Sequence, residues 1–386
     1  MNLEAIIEST GAFSCFACGK CTSRCPLAQT SAELGREDVQ SPRALISQAL
    51  TGALDENSDF IWSCLTCNAC AVKCPSNVAF PEFVRGLRTE MKKDGRAKET
   101  VLCSGGRQLN AAGQLMATKD LRQKRMGWAE GLDVAKEGDT LFFVGCAPYI
   151  DLIFRDMVHT VEIAKNMVRI MNHCGIKPVV MDQEVCCGHD QLWTGEEDTF
   201  LKLAEKNIAM IKATGAKKIV ATCPECYRTI KVDYKKHFDF EIEVQHSTEF
   251  ISEQMKAGTV HFRRELPEVN VSYQDPCRLG KHMGVFDEPR RVLNGIPGVF
   301  LIEIPQTRTE SACCGTSAWT GCDKVREDIR IGRMAQSQET LVTACPKCMV
   351  HFSCTQQRNT TIGPALKDIR IKDITQLVAE GLESEQ

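Results

Sequence analysis

Two cysteine runs constrain this chain more than anything else in it. Residues 15–26 read Cys15-x2-Cys18-x2-Cys21-x3-Cys25-Pro26, and residues 64–75 repeat the spacing as Cys64-x2-Cys67-x2-Cys70-x3-Cys74-Pro75. Three thiols from one turn-rich segment and a fourth from elsewhere is what a cubane 4Fe-4S cluster requires. Zinc also takes four thiolates, but usually as two Cys-x2-Cys pairs, so a zinc-stabilised scaffold is the weaker alternative. Cysteine totals 22 of 386 residues, far more than packing needs. The start, Met1-Asn-Leu-Glu-Ala, lacks the basic and apolar regions of a secretory signal, so the thiols are expected to bind metal in a reducing cytoplasm rather than form disulfides.

In two-cluster ferredoxins the cysteine before proline ligates the other cluster. By that resemblance Cys15, Cys18, Cys21 and Cys74 hold one cubane, and Cys64, Cys67, Cys70 and Cys25 the other. Two such centres side by side serve to move single electrons. The 38 residues between Cys25 and Cys64 exceed the connection in small bacterial ferredoxins. Ser41 and Pro42 mark a helix start between the runs, and Pro81 to Met91 reads as another helix. The module at residues 1–95 therefore resembles the helical two-cluster type found within larger oxidoreductases.

Residues 96–138 are charged and glycine-containing without clear periodicity, and are expected to be a connector and partner surface. From 139 short apolar runs alternate with amphipathic segments, which predicts an α/β architecture. The expected strands are 140–144, 178–181, 218–222, 269–273, 300–304 and 341–344, and the expected helices 154–171, 198–213, 289–293 and 324–334, with a closing helix from Asp373. Four strands run into Cys146, Cys223, Cys277 and Cys345, which gathers thiols at the carboxyl edge of a parallel sheet.

One order of features occurs twice. Cys146, Cys186-Cys187-Gly188 and Cys223-Pro224-Glu225-Cys226 are followed by Cys277, Cys313-Cys314-Gly315 and Cys345-Pro346-Lys347-Cys348, with 131 residues from Cys146 to Cys277. This predicts a pseudo-two-fold duplicated α/β region, a first unit at 139–268 and a second at 269–386. Five thiols per copy are one more than a cubane uses and suit a non-cubane 4Fe-4S assembly with a bridging thiolate. Gly188 and Gly315 would let the backbone approach inorganic sulfide.

These motifs resemble the CCG-domain proteins, whose pattern runs Cys, Cys-Cys-Gly, Cys-x2-Cys. Together with the ferredoxin-like part, the chain resembles the fused D-type subunit of heterodisulfide reductases. The resemblance implies that Cys146, Cys186, Cys187, Cys223 and Cys226 ligate one non-cubane cluster. Cys277, Cys313, Cys314, Cys345 and Cys348 would ligate a second, although the last gap of that copy is 30 residues against 35 in the first. One or two non-cubane clusters are thus expected. The resemblance also implies an iron–sulfur electron-transfer subunit of an anaerobic multi-subunit oxidoreductase, with a flavin-containing, cytochrome b or large metal-containing reductase subunit as partner. The alternative is a catalytic subunit reducing a small disulfide, such as that of coenzymes M and B, with Cys186, Cys187, Cys313 and Cys314 as catalytic positions.

No Gly-x-Gly-x-x-Gly or Walker A sequence occurs, so no flavin, NAD or nucleotide is expected on this chain. A net charge of −3 argues against nucleic acid as a partner. Apolar runs fall short of the ~20 residues needed to cross a bilayer, so a cytoplasmic location is expected, with any membrane association through a partner. His189 and His282 are candidate proton donors, with simple hydrogen bonding the default. Arg278 and Lys281 could neutralise cluster charge or an anionic substrate, with surface solvation the default. Cys103, Cys174, Cys322 and Cys354 read as packing thiols.

Overall fold

The computed structural model describes residues 1–35, 41–97, 103–155, 157–263, 265–359 and 362–382. The first part is helical. Short helices at Leu3–Ser9, Lys20–Ser23, Pro26–Glu33, Pro42–Leu50 and Asp59–Ser63 lead into Phe80–Lys93. The expected cap forms, since Ser41 accepts a bond from the Ala44 amide with Pro42 in the first turn. Phe60, Ile61, Trp62, Phe83 and Leu87 are buried and share one apolar cluster with Val325, Ile329 and Phe352. The helical module therefore packs directly on the last part of the chain.

Two parallel sheets follow. The first comprises β1 (Thr140–Phe143), β2 (Lys218–Ala221) and β3 (Glu243–His246) in that spatial order. The second comprises β4 (Val269–Gln274), β5 (Val299–Leu301), β6 (Thr340–Thr343) and β7 (Arg370–Asp373), ordered β5-β4-β6-β7. Both sheets contribute to one apolar core around Phe142, Val220, Val271 and Val342.

Several expectations need correction. Residues 178–181 form no strand; Val179 alone bridges to Leu141 and Ala135 beside β1. The expected helix 154–171 starts late, at Thr160–His173, and a separate helix, Ala147–Ile153, precedes it. The carboxylate of Asp151 accepts bonds from the Thr160 hydroxyl (2.7 Å) and the Val161 amide (2.9 Å), satisfying free donors of the new first turn. Within the expected connector, Ser104–Thr118 is a helix. Three of its glycines are contact points. A Cβ on Gly105 would lie 2.4 Å from Phe154, one on Gly106 2.5 Å from Trp319, and one on Gly113 2.5 Å from Gln191. This helix is thus laid across residues that follow both sheets, and the glycines that permit the approach also blur its apolar periodicity.

Candidate iron–sulfur and charge-cluster site

Both Cys-x2-Cys-x2-Cys loops are wound through left-handed residues. Ala17 (φ 56°) and Thr66 (φ 46°) occupy equivalent positions, as do Gly19 (φ 82°) and Asn68 (φ 67°). Such a path turns successive thiols inward, and the Thr66 amide donates to Cys64 Sγ at 3.4 Å. Cys18 is exposed and Cys15, Cys21 and Cys74 half-buried, whereas Cys25, Cys64, Cys67 and Cys70 are buried. The turn Ala71–Lys73 before Cys74 packs against Lys20–Ser23. Cys25, in turn, interacts with Cys64 and Cys67 of the other loop. Cys25, Cys64, Cys67 and Cys70 line one hollow of about 20 Å³ with Leu27, Leu65 and Phe80.

In the later motifs the thiols converge beyond the strand ends. Cys146 follows β1, Cys223 β2, Cys277 β4 and Cys345 β6. Pro224 and Pro346 each open a helix, so Cys226 and Cys348 sit in first turns, where bonds with neighbouring thiols push both well up. Cys187 and Cys226 lie Sγ to Sγ at 3.4 Å; Cys186 contacts Cys187, and Cys146 is close to Cys187 and Cys223. In the second group Cys313 bonds Cys277 and Cys314, and Cys348 bonds Cys314 and Cys345. Two contacts join the groups: Cys67 of the helical module with Cys313, and Cys223 with Cys345.

Gly188 (φ 82°) and Gly315 (φ 81°) are also fixed by the protein itself. Both are left-handed, and a Cβ would meet Phe200 at 2.8 Å or the Arg326 carbonyl oxygen at 2.5 Å.

Burial pushes the thiols of Cys25, Cys70 and Cys146 well up, and neighbouring thiols add to the rise. Cys67 is drawn down to about 6 by its bond with Cys313 and by the charges of Lys281 and Arg278. Thiols packed this closely cannot all ionise unless a multivalent cation neutralises them. The donor set therefore fits iron–sulfur clusters, which are held by thiolates.

The sequence defaults for Arg278 and Lys281 are overturned, because both are buried. Arg278 donates to the Thr66 carbonyl (2.7 Å), to Thr66 Oγ1 (2.7 Å) and to His189 Nε2 (3.0 Å), and its guanidinium stacks 3.9 Å from the Trp193 ring centroid. Lys281 Nζ donates to the Ser311 carbonyl at 2.6 Å. His189 donates through Nδ1 to Asp190 at 3.0 Å. Burial lowers it to about 4, so it is neutral at pH 7. His282 is likewise driven well down by burial and by Arg278. Neither imidazole is charged as a ready proton donor.

Three residues escaped the sequence reading altogether. Lys347 pairs with Asp190 and Glu225, and all three are buried. Burial opposes ionisation of Asp190, yet Lys347 and His189 hold its carboxyl well below the usual range. The only signal in the sequence was the opposite charge at matching positions of the two Cys-Pro-x-Cys segments. Cys103 caps Ser104–Thr118 by accepting from the Gly106 amide at 3.2 Å.

Comparison with known proteins decides the family. The 4Fe-4S dicluster domain matches residues 11–78, and the CCG cysteine-rich domain matches twice, at 140–231 and 271–353. The D-type subunit of the dihydromethanophenazine:CoB–CoM heterodisulfide reductase of Methanosarcina acetivorans is 30% identical, across 96% of this chain and 93% of that protein. The chain belongs to the heterodisulfide reductase D-type family of CCG iron–sulfur proteins. It is an iron–sulfur oxidoreductase subunit. The EtfAB:quinone oxidoreductase of Syntrophomonas wolfei is 26% identical over 87% of this chain and 54% of its own length. One subunit of the CoM/CoB fumarate reductase of Methanothermobacter marburgensis is 24% identical over 94% of this chain and 71% of its own length. Among the described residues no helix is long and apolar enough to cross a membrane.

Proposed function

We propose that this chain relays single electrons within a multi-subunit oxidoreductase complex, between two cubane sites in the helical module and two non-cubane sites in a duplicated CCG region. The observation that carries this reading is the pair of contacts Cys67–Cys313 and Cys223–Cys345. They string the thiol sets into one series, from exposed Cys18 through the Cys25/Cys64/Cys67/Cys70 set to the Cys277 group and then the Cys146 group. The clusters, when bound, supply one-electron chemistry. The protein's part is to hold the thiols in series, to bury most of those beyond the first set, and to place Arg278, Lys281 and Lys347 beside them.

Duplication is supported by topology. Val179, β1, β2 and β3 follow one another in space as β5, β4, β6 and β7 do, and the first three segments of each set precede matching cysteine motifs. The units are 139–268 and 269–386, behind a helical module at 1–95. The partner is a flavin-containing, cytochrome b or large metal-containing reductase subunit, since a chain of one-electron sites needs a donor and an acceptor at its ends. Purification from the native host under anaerobic conditions tests the reading. Association with a subunit bearing such a cofactor is expected, and a lone monomer with no redox partner would contradict it.

A second reading, reduction of a small disulfide, has one observation in its favour. Cys146 and Cys186, both half-buried, line a pocket with Tyr149, Asp190, Gln191 and Trp319. Its volume of about 20 Å³ is close to that of one water, and Leu109, Gly113 and Met116 of Ser104–Thr118 form a wall. A disulfide would enter only if that helix gave way. Turnover of the coenzyme M–coenzyme B heterodisulfide by reduced protein tests this reading.

A further inference from the structure

The two Cys-Pro-x-Cys segments differ at their third residue, Glu225 in the first and Lys347 in the second. These matched positions meet. Lys347 is 5% exposed, pairs with Asp190 and Glu225 of the first unit, and lies 5.1 Å from the Trp319 ring centroid. The thiols of Cys146 and Cys223 both feel its charge. The second group is served differently. Arg278 acts on Cys277 within the second unit, whereas His351, beside Cys314, is lowered to about 4 by burial and carries no charge at pH 7. Near the first group stand Asp190, beside Cys146 and Cys186, and the imidazole of His189, beside Cys187.

We infer that Lys347 is a positioning and charge-setting residue for the first unit's thiol group, supplied across the interface by the second unit. The inference rests on the proposal that the first group holds a redox cluster. Each added electron makes a cluster more negative, and a fixed ammonium in a buried site stabilises that reduced form. Desolvating the ammonium is costly, and the Asp190 and Glu225 carboxyls offset that cost only while the two units are docked. Docking of the units and the potential of the first group are thereby coupled through one side chain.

The test is an EPR-monitored redox titration of the full-length, anaerobically purified protein in its native complex. Signals of the two CCG groups are assigned with Cys146→Ala and Cys277→Ala. Lys347→Met removes the charge while keeping much of the volume, and leaves Asp190 unbalanced. The first group's midpoint should move negative, with at least a tenfold fall in the reduced-to-oxidised ratio at the wild-type midpoint, which is about 59 mV for one electron. Asp190→Asn should move it positive, the double variant should return towards wild type, and Lys347→Arg should retain it. The second group's midpoint should move by less than the first group's in every variant, since Lys347 Nζ pairs with Asp190 and Glu225 of the first unit. A strut without electrostatic influence would instead alter iron content or thermal stability without opposite-signed shifts. Unchanged midpoints in variants with wild-type iron content would overturn the inference, as would equal shifts in both groups. If Lys347→Met fails to load iron, the positive shift of Asp190→Asn carries the test, and a null or negative shift there overturns it. Absence of iron from the first group of the wild-type protein would instead defeat the underlying reading.

Discussion

Asp373 closes β7 with its carboxyl buried. Oδ1 accepts from the Thr375 amide at 2.9 Å and its hydroxyl at 2.6 Å, while Oδ2 has no hydrogen-bond partner among the described residues. Burial raises this acid from 3.8 to about 7, against the opposing Thr375 bonds. The unfolded chain therefore releases this proton near pH 4, whereas the folded chain keeps it to about pH 7. Stability is largest at low pH and declines across that window, by at most roughly 4 kcal/mol from this group. Urea unfolding at pH 5 and pH 8 should show wild type losing stability with rising pH and Asp373→Asn losing less. Equal slopes would show that the site is not protonated at pH 5. At this scale the sequence was uneven. The ligand candidates were visible because cysteine spacing is local. The burial of Arg278, whose partners Thr66 and His189 lie 212 and 89 residues away, and the pairing of Lys347 with Glu225 depend on tertiary contacts that spacing does not encode.

The helix Ser104–Thr118 sets the prediction that belongs to elements. Gly106→Ala should gain up to about 1 kcal/mol in helix propensity. Its new Cβ, however, would lie 2.5 Å from Trp319 Cβ. Overpacking of this kind costs about 1–3 kcal/mol, so the net effect is destabilising. Lower urea resistance and faster hydrogen exchange over residues 104–118 are expected, and Gly127→Ala, with nothing within 4 Å of its Cβ, is the control. Stabilisation by Gly106→Ala would refute the close contact. Buried strands such as β2 and β6 were legible as continuous apolar runs. The edge strands β3 and β7, Glu-Val-Gln-His and Arg-Ile-Lys-Asp, carry polar residues towards solvent and left no such run. The helix was missed because its glycines serve packing that no local pattern reveals.

For the whole molecule, the consequence is one series of thiols that is most exposed at one end. The end with Cys18 faces solvent, beside exposed Phe13 and Phe16, and the interior sets are joined by Cys67–Cys313 and Cys223–Cys345. The helical module and both sheets are pinned together at the middle of this series by Arg278, which bonds Thr66 and His189 at once. The order of modules could be read from the motifs, but not which thiol set abuts which, since that depends on how the modules dock. The measurement that bears most directly on this series is iron and acid-labile sulfide analysis with Mössbauer spectroscopy on the full, anaerobically isolated chain. Two cubane and two non-cubane sites predict about 16 iron atoms per chain in two spectral classes of comparable area. Zinc in place of iron, or about 8 iron atoms of cubane type alone, would contradict that arrangement.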